Sequence, residues 1–146
     1  MVRVLLAGAA VLAASASPAL AQATPSPIEV VNAFNKLGYE DRRLVEAIET
    51  YVAPDFIEHN PGVPGGGREG LLARVRDRAA ALSQNEYRIL HVFAEGDMVV
   101  VHHYRVPRAD QGGRAFVDFF RVRDGKIVEH WDVSEDDPLP DQATRR

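Results

Sequence analysis

The sequence predicts an α+β fold in which helices pack on one face of a curved antiparallel sheet. Three observations carry that reading. Apolar residues recur at helical spacing up to about residue 83 and alternate with polar ones beyond it. The helices come first and the strands afterwards. No internal repeat or second domain is visible.

The first residues stand apart from this fold. Arg3 precedes an apolar run from Val4 to Ala14, followed by Ala19-Leu20-Ala21. A basic start, a short apolar core and an Ala-x-Ala site predict a signal peptide over residues 1–21 and export to the periplasm or the medium. The run is too short and too rich in alanine for a transmembrane helix, so no stable membrane anchor is expected after cleavage. The domain proper is assigned to residues 22–133 and an acidic, proline-rich, mobile tail to residues 134–146.

Ser26, Pro27 and Glu29 form a helix start, with Ser26 as N-cap and Glu29 three residues on. Val30, Ala33, Phe34 and Leu37 are its apolar stripe, and Gly38 its expected stop. A second helix begins near Asp41, places Leu44, Val45, Ile48, Tyr51 and Val52 on one side, and ends before Pro54. Asp55 to Pro61 is a short extended piece entering a loop, Gly62 to Gly67. A third helix runs from about Arg68 to Ser83, with Leu71, Leu72, Val75, Ala79 and Leu82 inward. Strands are expected at Tyr87–Ala94, Met98–Val106, Ala115–Arg123 and Lys126–Val133. Glu95-Gly96-Asp97 makes a tight turn between the first pair, and Pro107 to Gly113 a polar loop.

Composition narrows the function. The formal charge is −4, and the arginines between Arg68 and Arg78 alternate with acids and apolar positions, as on a solvated helix face. No basic stripe remains for nucleic acid. The chain has no cysteine, which removes disulfides, thiolate nucleophiles and zinc–cysteine sites. The glycine-rich loop lacks the Lys-Ser/Thr ending of a phosphate loop and reads as a flexible link. Histidines at short metal-binding spacing are absent, and no metal is expected.

The last hairpin, Phe116 to Val133, holds the strongest candidates. Asp118 shares a strand face with Phe116, Phe120 and Val122, and on the return strand Val128, His130 and Asp132 share one. Asp124-Gly125 supplies the turn. A strict two-residue turn pairs Asp118 with Trp131 and turns His130 away. A three-residue loop with Gly125 in a bulge pairs Asp118 with His130 and Phe116 with Asp132, and that register is expected because it gathers the polar groups on one face. A carboxylate between Phe116 and Phe120 is desolvated, which raises its pKa toward the range of a general base. His59 and Asn60 read equally as an exposed turn and as hydrogen-bonding groups at a cavity wall. His102 and His103 are adjacent on a strand and face opposite ways.

Phe56-Ile57-Glu58-His59-Asn60-Pro61, then Asp97 to His102, then Asp118-Phe119-Phe120-Arg121 and Asp124 to Val133 together resemble the SnoaL-like branch of the nuclear transport factor 2-like superfamily. The resemblance implies a cone-shaped barrel with one deep pocket between helices and sheet, and a homodimer formed through the sheet. It also implies cofactor-free ring closure by intramolecular aldol condensation. Asp118 takes the place of the general acid/base and His102 that of the histidine that holds or polarises the substrate. His59, Asn60, His130 and Asp132 match pocket-lining positions, with Phe116 and Phe120 as apolar substrate contacts. The leading expectation is therefore acid/base chemistry on a small carbonyl compound. A non-catalytic carrier or sensor of an apolar ligand and a hydrolase with Asp-activated water are the alternatives.

Overall fold

The computed structural model describes residues 24–82, 85–106 and 113–137. The expected signal peptide, most of the polar loop after Val106 and the end of the tail lie outside the described residues.

Helix α1 spans Pro27–Asn35. Glu29 accepts from the Ser26 backbone N–H at 2.8 Å and from its hydroxyl at 2.6 Å, closing the helix start. The chain does not stop at Gly38 but widens into a π-helical turn over Lys36–Glu40, where the Asp41 N–H donates to the Lys36 carbonyl at 2.9 Å. Gly38 packs closely there: a Cβ would lie 2.9 Å from Leu44 Cδ1 and 3.3 Å from Ala47 Cβ, so these side chains would have to shift. The wide turn brings Tyr39 to the sheet, where its ring stacks on Tyr87 at 4.3 Å.

Helix α2, Leu44–Tyr51, starts later than predicted because Arg42 takes a left-handed backbone, φ 59°. Strand β1, Val52–Glu58, takes over at once and includes Pro54. It is an edge strand whose register breaks between Val52 and Ile57, so the missing Pro54 N–H costs no ladder bond. The single helix predicted to Ser83 divides at Arg78 into α3, Arg68–Asp77, and α4, Ala79–Leu82.

Strands β2 (Glu86–Glu95), β3 (Met98–Val106), β4 (Gly113–Arg123) and β5 (Lys126–Asp137) complete an open five-stranded sheet in the order β1-β5-β4-β3-β2. The α+β class and the curved, cone-like arrangement agree with the sequence reading, but the sheet is mixed: β1 joins β5 in parallel. Strands β2 to β5 follow one another closely and must alternate in direction. β1 is separated from them by α3 and α4, so its direction is free. β5 also continues through Ser134 to Asp137, opposite Gly113 to Phe116, so the first residues of the expected mobile tail are strand.

The β4–β5 hairpin differs from expectation in a way that matters for the site. Asp124 (φ 50°) and Gly125 (φ 72°) form a two-residue turn, with Arg123 opposite Lys126 and Val122 opposite Ile127. A bulge follows at Val128, after which Arg121 faces Glu129, Phe120 faces His130 and Asp118 faces Asp132. The extra residue reverses the parity of β5, so His130 and Asp132 return to the face of Asp118. The expected pairing of Asp118 with His130 is replaced by Asp118 with Asp132; the shared face is kept by the bulge rather than by a longer loop. Ile127, not Val128, is the buried apolar partner, 1 % exposed.

The helices cover the inner face. Ile48, Val99, Val101 and Ile127 are almost fully enclosed between the two layers, each contributing about 2 kcal/mol.

Candidate functional site

A cavity of about 430 Å³ lies between the helices and the inner face of the sheet. That volume is within the range that encloses a small organic molecule. Phe34, Phe56, Phe116 and Phe120 supply apolar wall, while Pro61, Arg78, Arg114 and Ser134 form its exposed rim.

One chain of hydrogen-bonding groups crosses the sheet wall, from β1 through β5 and β4 to β3. His130 Nδ1 lies 2.8 and 3.0 Å from the two Glu58 oxygens. His130 Nε2 is 3.6 Å from Asp118 Oδ1, and His103 Nε2 is 2.9 Å from Asp118 Oδ2. An ionised carboxylate can only accept, so His130 donates through Nδ1 to Glu58 and His103 through Nε2 to Asp118, while His130 and Asp118 make a 3.6 Å ion-pair contact. Asn60 ties the same wall to the rim. Its backbone N–H donates to Glu58 at 2.9 Å and its amide donates to both Asp132 oxygens at 2.8 Å.

Alternation explains why these residues meet. Phe56, Glu58 and Asn60 are two apart on and beyond β1, and Glu58 sits beside His130 in the parallel ladder. On β3, Val99, Val101 and His103 face inward, all 5 % exposed or less. The His103 ring is parallel to Phe116 at 5.1 Å, with Tyr39 and Tyr87 at 6.2 and 6.1 Å, and its Nδ1 is buried with no hydrogen-bond partner.

Charge follows from this geometry. Burial pushes Asp118 up, as the sequence predicts, but the hydrogen bond from His103 and the charge of His130 outweigh it. The carboxyl falls from 3.8 to about 2 instead of rising. Burial pushes His130 down, yet Asp118 and Glu58 on either side raise it from 6.5 to about 10. At neutral pH the centre of the wall is therefore an imidazolium held between carboxylates. Tyr39 is pushed well above 10, chiefly by burial.

Asp118, His130, Asp132, Asn60, Phe116 and Phe120 all line the cavity. His102 and His59 do not. His102 faces the other side of the sheet, its Nδ1 3.3 Å from His91 Nδ1, and His103 takes the inward place. His59 pairs with Glu129 at 2.9 Å and stacks on Trp131 at 4.6 Å, also on the outer face. Sequence reading missed Glu58, His103 and the arginines of the cavity. Glu58 could have been found from its alternation with Phe56 and Asn60. Arg74 and Arg78, taken for a solvated face, stand at helical spacing from Leu71 and Val75, on the stripe that faces inward. Among the described residues, no group of three or more histidine and acid side chains has the arrangement of a metal site.

The fold recurs in solved structures. IdmH from Streptomyces antibioticus, provisionally named a polyketide cyclase, is 24% identical, with a TM-score of 0.62 over 75% of this chain and 91% of that one. A protein from Bacillus cereus with the same provisional name is 22% identical, TM-score 0.62, over 82% and 81%. An NTF2-like protein of unknown function from Mesorhizobium loti is 22% identical, TM-score 0.59, over 75% and 90%. No curated protein matches in sequence. The SnoaL-like domain matches residues 30–130, which hold the helices, β1 to β4 and the start of β5, and the chain belongs to that family.

Proposed function

We propose that the chain binds a small carbonyl compound in its cavity and performs cofactor-independent acid/base chemistry on it, of the aldol cyclase or isomerase type. The observation that carries this reading is the Glu58–His130–Asp118–His103 chain on the cavity wall. Each potential reacting group has one partner holding it from behind: His103 fixes Asp118, and Glu58 fixes His130. Between them, Asp118 Oδ1 and His130 Nε2 stand 3.6 Å apart, beyond hydrogen-bond length, and both line the cavity.

A substrate carbonyl oxygen accepts the Nε2–H of His130, and Asp118 Oδ1 removes a proton from the adjacent carbon. The oxygen charge of the enolate develops against a preorganised cation. Displacing His130 from Asp118 also relieves the pairing that keeps Asp118 so acidic, which makes it a better base once substrate is bound. In a ring closure, the enolate carbon attacks a second carbonyl of the same molecule. The new alkoxide then takes the proton back from Asp118, so the product is an isomer of the substrate.

The test is deuterium incorporation, followed by NMR, into small ketones and β-dicarbonyl compounds in heavy water. Wild type is expected to catalyse exchange and Asp118→Asn to lose it. Equal exchange by both overturns the proposal. One observation favours a second reading, a non-catalytic carrier: a carboxyl with a pKa of about 2 holds protons poorly. Ligand binding without exchange in wild type selects it.

Export and dimerisation belong to the same proposal. Export is supported by Arg3, the apolar run and Ala19-Leu20-Ala21; the intact mass of the secreted protein tests cleavage after Ala21. A homodimer through the outer sheet face is supported by Ile57, Phe93 and Val133, each more than half exposed there. Sedimentation of Phe93→Glu against wild type tests it, a monomer being expected for the variant.

A further inference from the structure

We propose that the open end of the cavity is a subsite for a carboxylate, so that the ligand is an oxo-carboxylate with its acid group at Arg74, Arg78 and Arg105. This deepens the proposed function and rests on it only in placing the ligand's carbonyl at Asp118.

The argument is a contrast among the arginines. Arg43, Arg76, Arg88, Arg114 and Arg121 each lie against a carboxylate, at 2.6 to 3.2 Å. Arg74 and Arg78, at the end of α3, and Arg105, on β3, line the cavity, and none has a carboxylate at ion-pair distance among the described residues. They converge from opposite walls. Arg78 and Arg105 are near enough to depress the Arg74 guanidinium, after burial, while the carboxylates of Asp132 and Glu58 partly offset this. Those carboxylates are already engaged, Asp132 with the Asn60 amide and Glu58 with His130.

Like charges gathered at a cavity, with no carboxylate at ion-pair distance among the described residues and the nearer acids already engaged, favour the binding of an anion there. Arg105 is preorganised for that task, since its guanidinium lies over the Phe116 ring at 4.4 Å and has no carboxylate partner among the described residues. Guanidinium forks match the two oxygens of a carboxylate. Behind them Phe34, Phe116 and Phe120 offer an aromatic bed, and the charge chain lies on the same wall. The ligand so described has an acid at one end, an apolar or aromatic body and a carbonyl within it.

The test is binding rather than turnover, so that it can succeed or fail apart from the proposed catalysis. 3-Benzoylpropionate, levulinate and phenylpyruvate, each beside its methyl ester, are titrated into the full mature protein and followed by calorimetry and amide NMR shifts. Wild type is expected to favour at least one acid over its ester by about tenfold or more, a preference weakened by salt. The Arg74→Gln/Arg105→Gln double variant is expected to lose that preference. Arg76→Gln, which removes a paired arginine elsewhere on α3, and Asp118→Asn are expected to keep it. Equal binding of acid and ester, a preference that survives the double variant, or no binding of any acid at millimolar concentration overturns the subsite. Loss of exchange in Asp118→Asn with acid binding intact supports both proposals, and acid binding without exchange in wild type supports the subsite alone.

Discussion

Two histidine–glutamate pairs join β1 to β5, and they cross. Glu58 and His59 are neighbours on one segment, Glu129 and His130 on the other. Glu58 meets His130 at 2.8 Å on the inner face, and His59 meets Glu129 at 2.9 Å on the outer one. The residue types and distances nearly coincide; the surroundings do not. The inner side chains are 15 % and 2 % exposed, the outer ones 39 % and 21 %. The inner pair is extended by Asp118 and His103 into a buried chain that holds His130 at a pKa of about 10. The outer pair shares its carboxylate with Arg121 and is stacked against Trp131 in reach of water. The same two groups thus make a site on one face and a surface contact on the other. The dielectric around them, not their identity, decides which.

The contrast is most sharply broken by removing Glu58. Glu58→Ala leaves the buried His130 cation one carboxylate short and strips the Asn60 N–H of its acceptor, so unfolding free energy should fall by about 3–5 kcal/mol. Urea denaturation measures it. A loss under about 1 kcal/mol would place the inner pair with the outer one.

The pH dependence of stability is the next test. His130 has a folded pKa raised from 6.5 to about 10. Its contribution is therefore complete below pH 6.5 and is lost as pH rises toward 10. Asp118 has the opposite sign: lowered from 3.8 to about 2, it stabilises fully above pH 3.8 and stops doing so as pH falls through 2. Melting temperatures taken between pH 6 and 10 should decline for wild type and decline less for His130→Gln. Parallel profiles would mean that His130 is not held as a cation in the folded protein.

The sequence made the fold legible because its signals are local. The Ser26–Glu29 start, the helical stripes and the Asp124-Gly125 turn each depend on a few neighbouring residues. Parallel addition of β1 does not, since it is fixed by packing between distant segments. The site was legible to the degree that alternation has a clear phase. Asp118 stood between Phe116 and Phe120, and its face was plain. On β3 both phases are apolar, with Met98 and Val100 matching Val99 and Val101, so alternation could not separate His102 from His103. The resemblance then pointed to His102, and the structure puts His103 against Asp118. The Val128 bulge was invisible for another reason. It changes the parity of a strand without changing its composition, and a two-residue turn with a bulge brings Asp118 and His130 to one face just as a three-residue loop without one does.

The smallest expected effect closes the comparison from the outer side. In His59→Ala, Glu129 keeps its contact with Arg121 at 2.9 Å, and water replaces the imidazole on an accessible face. Stability should fall by no more than about 1 kcal/mol, and the difference from wild type should shrink further in high salt, because exposed charges are screened while buried ones are not. The same substitution should leave proton exchange and acid binding untouched, since the His59 ring is separated from the cavity by the sheet. If His59→Ala instead abolished either, the two faces would be coupled through β1 and β5, and the inner chain could no longer be treated as a unit that ends at Glu58.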